Sequence, residues 1–121
     1  MLKKISFFLL LMISFQWAKA QENRAVHNID KVAFQQGIEK GNVQLVDVRT
    51  PEEYKNGFIK NAVNIDYLNK KIFENSFEKF DKSKPIYIYC QSGGRSNKAA
   101  KKLAEMGFKE IYDLQGGYYN W

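Results

Sequence analysis

The strongest constraint on the fold is an alternation between two kinds of sequence pattern. Short runs rich in β-branched and aromatic residues predict four strands, over residues 43–48, 62–65, 86–89 and 111–114. The segments between these runs carry helical signals. Because parallel strands need a crossover connection, the alternation predicts an α/β fold with a small, mostly parallel sheet and helices on both faces. Ligands of such sheets bind beyond the carboxyl ends of the strands.

The helical signals differ in clarity. Residues 96–106 place small and apolar side chains on one face and lysines on the other, and Gly107 follows as a C-terminal cap. Residues 50–57 begin with a capping box, in which a threonine is followed three positions later by a glutamate, with proline at the first helical position. Residues 30–40 and 67–75 are weaker helix candidates. These four segments supply the predicted crossovers.

The N-terminus has the layout of a secretory signal peptide. Lysines precede an apolar stretch of about 13 residues, which is shorter than the roughly 20 that a membrane span needs. Ala18 and Ala20 are the small residues that flank a cleavage point. We therefore expect residues 1–20 to be removed, residues 21–121 to form a single domain, and the product to be periplasmic or secreted without stable membrane insertion.

Charge and composition exclude several functions. The formal charge of +6 falls to +3 without residues 1–20, which contain three lysines and no acidic residue. The remaining lysines alternate with acidic residues, which is typical of solvated faces and does not suggest nucleic-acid binding. The single histidine, His27, leaves little basis for a Cys/His dyad or a metal site. We expect no metal, no cofactor and no nucleic-acid partner.

The chain has a single cysteine, Cys90, which cannot form an internal disulfide. It lies between a predicted strand and a predicted helix, in the segment Cys-Gln-Ser-Gly-Gly-Arg-Ser. Gly93 and Gly94 can adopt positive φ angles, so that successive N–H groups converge as an anion cradle. The helix N-terminus and Arg95 add positive charge. We predict that Cys90 is a nucleophilic thiolate, although a strand-terminal cysteine can also be buried and inert.

Three motifs together resemble those of rhodanese-like domains. Residues 89–96 resemble the active-site loop of that family, residues 45–54 resemble its first signature, and residues 114–121 resemble its closing Gly-Gly and Trp motif. Their order and spacing agree over about residues 28–121. The resemblance implies about five parallel strands with helices on both sides, and a cysteine that becomes a persulfide.

These features lead to a sulfurtransferase hypothesis with two displacement steps. Cys90 takes the outer sulfur of thiosulfate or a similar donor and passes it to a thiol or to cyanide, while Arg95 steers the donor. Donor and persulfide are bound by the rest of the loop, which comprises Gln91, Ser92, Gly93, Gly94 and Ser96. Asp47 and Arg49 are interpreted as supporting groups that brace the cradle through an ion pair and hydrogen bonds, with direct contact to the substrate as the alternative. The expected partners are small donors and acceptors, and a protein partner is left open.

Two other functions stay open. A phosphatase or arsenate reductase would also use a cysteine, loop amides and an arginine, but the four residues between Cys90 and Arg95 make a loop one residue shorter than in the phosphatase relatives of this fold. A non-catalytic carrier, which hands its persulfide to a partner protein, would have the same loop. The sequence does not separate a carrier from an enzyme.

Two residues near the second predicted strand depart from the family pattern. Phe58 and Asn61 stand where many members have histidine and glycine, and we interpret both as packing changes. The aromatic residues of the closing motif, Tyr118 and Trp121, are interpreted as core closure in preference to pocket lining.

Overall fold

The computed structural model describes the backbone of residues 2–121 and the side chains of residues 9–121. The strands are β1 (Val26–Ile29), β2 (Gln44–Asp47), β3 (Val63–Asn64), β4 (Ile86–Tyr89) and β5 (Ile111–Leu114). The helices are α1 (Leu2–Ala25), α2 (Lys31–Glu39), α3 (Pro51–Lys55), α4 (Lys70–Phe77) and α5 (Gly94–Glu105), followed by a 3-10 turn over Tyr118–Asn120. All strand pairs are parallel, in the order β1-β5-β4-β2-β3. The predicted α/β fold is confirmed.

The central strand β4 separates two apolar cores. Ile86 and Ile88 pack on one face together with side chains of α4 and α5, and Tyr87 and Tyr89 pack on the other face together with Phe34 of α2. All four residues of β4 are buried, which explains why its sequence is a continuous apolar run without alternation. Each fully buried large apolar side chain contributes about 1.5–3 kcal/mol of transfer free energy to folding.

The helix ends follow the predicted capping chemistry. Thr50 and Glu53 form a capping box around the start of α3, with Pro51 at the first helical position. Asp30 caps α2 by accepting a hydrogen bond from the N–H of Ala33 at 2.9 Å. Beyond the end of α5, Gly107 has a φ of +102° and terminates the helix.

Other predicted boundaries were wrong. The segment of β1 was not predicted as a strand because its two central residues are polar and exposed, and its pairing with β5 involves a distant part of the chain. Helix α4 begins at Lys70, after the cap Asn69, and not at residue 67. Helix α5 begins at Gly94, two residues before its predicted start, because the loop turns into helical backbone directly after Gly93.

Helix α1 runs without a break across the predicted cleavage point after Ala20. Its large apolar side chains from Leu9 to Trp17 are more than half exposed, whereas Ala25 at its end is 5% exposed and belongs to the core. Within the residues that the structure describes, no helix has both the length and the hydropathy to cross a bilayer. The signal peptide over residues 1–20 and the domain over residues 21–121 stay predictions.

The two departures from the family pattern have different physical roles. Phe58 stacks on Tyr54 with ring centroids 4.1 Å apart, which agrees with a packing change. Asn61 is exposed and has a φ of +73°, so its interpretation as a packing change was wrong. Asparagine is one of the few non-glycine residues that tolerate the left-handed region, and it therefore preserves the backbone conformation that a glycine would adopt.

Candidate active site

Cys90 lies directly after β4, at the carboxyl end of the central strand. It is 1% exposed, and its Sγ accepts a hydrogen bond from the N–H of Gly93 at 3.0 Å. Gly93 has a φ of +113°, which turns its N–H toward the sulfur of the residue three positions earlier. The thiol is thus enclosed by the start of the next helix.

Unpaired N–H donors surround this turn. Gly94, Arg95 and Ser96 form the first turn of α5, and among the described residues their N–H groups have no backbone or side-chain acceptor. Such groups at a helix N-terminus, together with the helix dipole, stabilise an anion. Only Gly93 of the two adjacent glycines has a positive φ; the prediction for Gly94 was wrong, because this residue already has helical backbone.

The buried side chain of Ser96 stabilises the loop through a hydrogen bond to its backbone. The Ser96 hydroxyl donates to the carbonyl of Gly93 at 3.3 Å. Asp113 of β5, 1% exposed, lies beside Ser96, and one of its carboxylate oxygens, Oδ1, has no hydrogen-bond partner among the described residues. Burial raises the pKa of Asp113 to about 6, and the Ser96 hydroxyl only partly offsets this effect.

Arg49 organises the buried side of the loop. Its Nη2 and Nε donate to the carboxylate of Asp47 at 2.6 and 3.0 Å, and both side chains are almost fully buried. Nη1 donates to Oε1 of Gln91 at 3.0 Å, and Nη2 also donates to the carbonyl of Gly57 at 2.6 Å. Burial acts to lower the pKa of Arg49, but the hydrogen bonds and charge of Asp47 outweigh it and raise this pKa. Arg49 therefore forms a buried ion pair with Asp47 and also fixes the side chain of Gln91 through a hydrogen bond.

The closing motif binds the backbone of the same loop. The N–H groups of Tyr118 and Tyr119 donate to the carbonyls of Cys90 and Gln91 at 2.8 and 2.9 Å. Gly117 has a φ of +64°, and a Cβ at this position would lie 2.6 Å from both carbonyl oxygens. Only glycine permits this approach.

Two aromatic rings of the closing motif, those of Tyr118 and Trp121, pack against the core, whereas Tyr119 is exposed. Tyr118 lies over the guanidinium of Arg49, 4.3 Å from Cζ to the ring centroid. Trp121 packs edge-on against Phe34 of α2. The interpretation as core closure agrees with the contacts of Tyr118 and Trp121 with the core around Tyr87 and Tyr89. Both residues are only partly buried, and Trp121 also lines a surface cavity.

Arg95 faces the other side of the loop, toward α3. Its Nη1 and Nη2 donate to the two carboxylate oxygens of Glu53 at 2.6 and 2.9 Å. This pair is partly solvent-accessible, with 25% of the Arg95 side chain and 31% of the Glu53 side chain exposed. The bonds from Arg95 lower the pKa of Glu53 to about 2, with Thr50 contributing. The pKa of Arg95 is raised, first by Glu53 and further by the nearby Cys90.

The predicted site residues therefore lie around one loop, but they differ in how far they are exposed to solvent. Cys90, Gly93 and Arg95 are adjacent, and Asp47 and Arg49 form the expected supporting ion pair. Ser92 and Gly94 are exposed, whereas the Ser96 side chain is buried beneath the loop. Sequence reasoning interpreted Glu53 only as part of a capping box and did not identify it as the partner of Arg95. Its position in the first signature was the one available signal.

Comparison with known proteins agrees with this geometry. The model of the rhodanese-like domain family matches residues 30–121. Thiosulfate sulfurtransferase GlpE of Coxiella burnetii is 39% identical over 84 residues, which cover 69% of this chain and 76% of that protein. A rhodanese-like domain protein from Staphylococcus aureus has a TM-score of 0.67 at 32% identity, over 78% of this chain and 89% of that one.

A longer relative carries a similar segment. The tRNA uridine(34) hydroxylase of Pelagibacter ubique is 34% identical over 102 residues, which cover 84% of this chain but only 34% of that protein. Relatives with this segment thus differ in named activity, and the shared part is the domain itself. The family match over residues 30–121, the five-stranded parallel sheet and the cysteine loop at its carboxyl edge show that the chain belongs to the rhodanese-like family.

Proposed function

We propose that the protein is a sulfurtransferase that carries sulfane sulfur as a persulfide on Cys90. The observation that carries this proposal is the position of Sγ, 3.0 Å from the Gly93 N–H and next to the unpaired N–H groups of the α5 N-terminus. Such a site favours negative charge on sulfur both before and after sulfur transfer. The thiosulfate sulfurtransferase activity named for the Coxiella burnetii relative supports the same chemistry.

The proposed reaction has two balanced steps. In the first, the Cys90 thiolate attacks the outer sulfur of thiosulfate, a new S–S bond forms, and the original S–S bond breaks with both electrons leaving on sulfite. In the second, cyanide or a thiolate attacks the terminal sulfur of the persulfide and regenerates the Cys90 thiolate. Neither step needs an external oxidant or reductant. The N–H groups of Gly93 to Ser96 stabilise the anionic sulfur, and Arg95 lies beside the same loop in an ion pair with Glu53.

The direct test is an intact-mass measurement after incubation with thiosulfate. We expect a gain of one sulfur atom, lost again when cyanide is added, with thiocyanate formed in equal amount. Because Cys90 is the only cysteine, the Cys90→Ser variant has no other thiol and serves as the matched control. Sulfur uptake or thiosulfate:cyanide activity in that variant would overturn the assignment.

The same experiment separates an enzyme from a carrier. Sulfur uptake with fast turnover to cyanide or small thiols indicates an enzyme, whereas stable sulfur uptake with negligible turnover indicates a carrier that serves a partner protein. Efficient hydrolysis of p-nitrophenyl phosphate would instead favour the phosphatase alternative. We propose the enzyme, since Ser92 and Gly94 of the loop are exposed and Arg95 is partly exposed, so that a small donor can reach the loop from solvent.

We also propose that residues 1–20 direct export and are removed after Ala20. The support is the run of more than half-exposed apolar side chains from Leu9 to Trp17, which a folded domain in water would leave uncovered. N-terminal sequencing of the protein recovered from a periplasmic or culture fraction should begin at Gln21. Recovery of only the uncleaved chain, in the cytoplasmic fraction, would contradict this proposal.

A further inference from the structure

The cysteine loop is flanked by two arginines, and both are neutralised by carboxylates of the first signature. Each side-chain nitrogen of Arg49 donates to Asp47, Gln91 or the carbonyl of Gly57. Arg95 lies on the partly exposed side of the loop, which we call the rim, and both of its terminal nitrogens are bound to Glu53. The positive field at the sulfur therefore comes mainly from backbone N–H groups, and little of it comes from an uncompensated cation.

Glu53 is held in this position by contacts on two sides. Its Oε1 also accepts hydrogen bonds from the hydroxyl and N–H of Thr50, at 3.0 and 3.3 Å. These contacts belong to the capping box of α3, so the carboxylate is positioned by the helix start as well as by Arg95. With a pKa of about 2, Glu53 stays ionised throughout the neutral range. The Arg95 charge is thus compensated by a group that is already in place when a donor arrives.

The charge of the donor then decides how well it is accepted. Thiosulfate carries two negative charges, whereas a thiosulfonate carries one and an organic hydropersulfide can be neutral at the reacting end. An arginine without a paired carboxylate would attract the dianion more strongly than the other donors, because the Coulomb energy is proportional to the donor charge. A carboxylate beside that arginine removes this advantage and repels the dianion.

We propose that Glu53 is a specificity-determining residue, which withholds the Arg95 charge from the donor and selects sulfane-sulfur donors of low negative charge over dianionic thiosulfate. This inference rests on the proposed sulfurtransferase function. With a hydropersulfide donor, the Cys90 thiolate attacks the outer sulfur, the donor S–S bond breaks, and the donor leaves as a thiolate while the proton stays on the transferred sulfur. With a thiosulfonate, the leaving group is a sulfinate.

The test compares thiosulfate with methanethiosulfonate, two donors with similar reacting atoms and different charge. In the Glu53→Gln variant we expect kcat/KM to rise about tenfold for thiosulfate and about threefold for methanethiosulfonate, because the electrostatic gain scales with donor charge. Glutamine can maintain the capping box with Thr50, so α3 keeps its start. A melting curve of the variant checks that the fold is retained.

Glu52→Gln is the matched control, since it removes the same charge one residue earlier on α3, from an exposed side chain. We expect less than about a twofold change with either donor, as is usual for an exposed charge. A second variant combines Glu53→Gln with Arg95→Gln, and there the gain for thiosulfate should disappear. Equal effects of the two glutamate variants, or a gain that persists without Arg95, would overturn the proposal.

A measurement on the unaltered protein provides an independent test. If Glu53 compensates Arg95, added salt should change kcat/KM for thiosulfate little or raise it slightly. A steep fall with salt would reveal an uncompensated cation that attracts the dianion, and the proposal would be wrong. Failure of the underlying function has a different signature: neither donor would place sulfur on Cys90 in any variant.

Discussion

The two sides of the cysteine loop contain the same kinds of groups in opposite surroundings. On the buried side, the pair of Arg49 and Asp47 is almost inaccessible to solvent and is linked to Gln91. On the rim side, the pair of Arg95 and Glu53 is about a quarter to a third exposed. Burial makes the first pair expensive to break, whereas water screens the second. The same arginine–carboxylate contact is therefore structural on one side and adjustable on the other.

Removing Arg49 should have the largest effect. Arg49→Ala leaves Asp47 buried without a partner and detaches Gln91, so we expect the free energy of unfolding to fall by about 3–5 kcal/mol. Urea denaturation, monitored by fluorescence at low temperature, measures this loss. Arg95→Ala is the matched comparison. If the two variants were equally stable, the distinction between a buried and a rim-side pair would fail.

The next largest effect on stability concerns two glycines, Gly117 in the closing motif and Gly94 at the start of α5. Gly117→Ala places a Cβ 2.6 Å from the carbonyls of Cys90 and Gln91 at a φ of +64°, so we expect a loss of about 3 kcal/mol in unfolding free energy. A Cβ at Gly94 would meet nothing within 4 Å, and Gly94→Ala should change stability by no more than about 0.5 kcal/mol. Chemical denaturation of both variants decides the comparison, and a reversed order would contradict it.

Two buried carboxylates differ in their partners, since Asp47 is paired with Arg49, whereas Asp113 has no cationic partner among the residues whose side chains the structure describes. The raised pKa of Asp113 means that the folded state binds its proton more tightly than the unfolded state does. Between pH 4 and 6 the stability contributed by this protonation is lost as pH rises, and it is fully present below the unfolded pKa.

We therefore expect Asp113→Asn to raise the free energy of unfolding by about 2–3 kcal/mol at pH 7–8. Below about pH 4 the variant and the unaltered protein should be equally stable, because both then carry an uncharged group. Urea titrations across this pH range provide the measurement. A difference that is independent of pH would point to packing as its cause, and would contradict the effect of burial on Asp113.

The smallest effect is expected on the rim. Arg95→Ala should lower the free energy of unfolding by no more than about 1 kcal/mol, and high salt should reduce the difference. Lys102→Ala is a suitable control, because Lys102 forms an even more exposed pair with Glu74, with 42% and 54% of the side chains accessible. A loss at Arg95 as large as that at Arg49 would show that the rim pair is structural after all.

Local patterns in the sequence predicted much of the fold and the centre of the site. The apolar run of β4, the capping box before α3 and the glycine after α5 each depend on neighbours a few residues away, and all three were identified. The strand–loop–helix order also placed Cys90 correctly at the carboxyl edge. Helix α5 and strand β1 were predicted less well, since their boundaries depend on the loop conformation and on pairing with β5.

Groups that meet only through tertiary structure were not predicted. Glu53 and Arg95 are 42 residues apart in sequence, and their contact requires α3 and α5 to approach the loop from different strands. The burial of Asp113 without a cationic partner likewise could not be predicted, because it depends on the neighbouring strands β1 and β4. Neither feature leaves a periodic signal in the sequence.

The sequence by itself determined four of the five strands, the helices that connect them, the position of the single cysteine and the glycine that turns its loop, because these follow from local backbone preferences and residue chemistry. Only the tertiary structure decided which charges are buried, which are paired with one another and which stay partly exposed beside the loop. The energy of a charge depends on the solvent and the groups around it, and those are set by distant segments of the chain packing together.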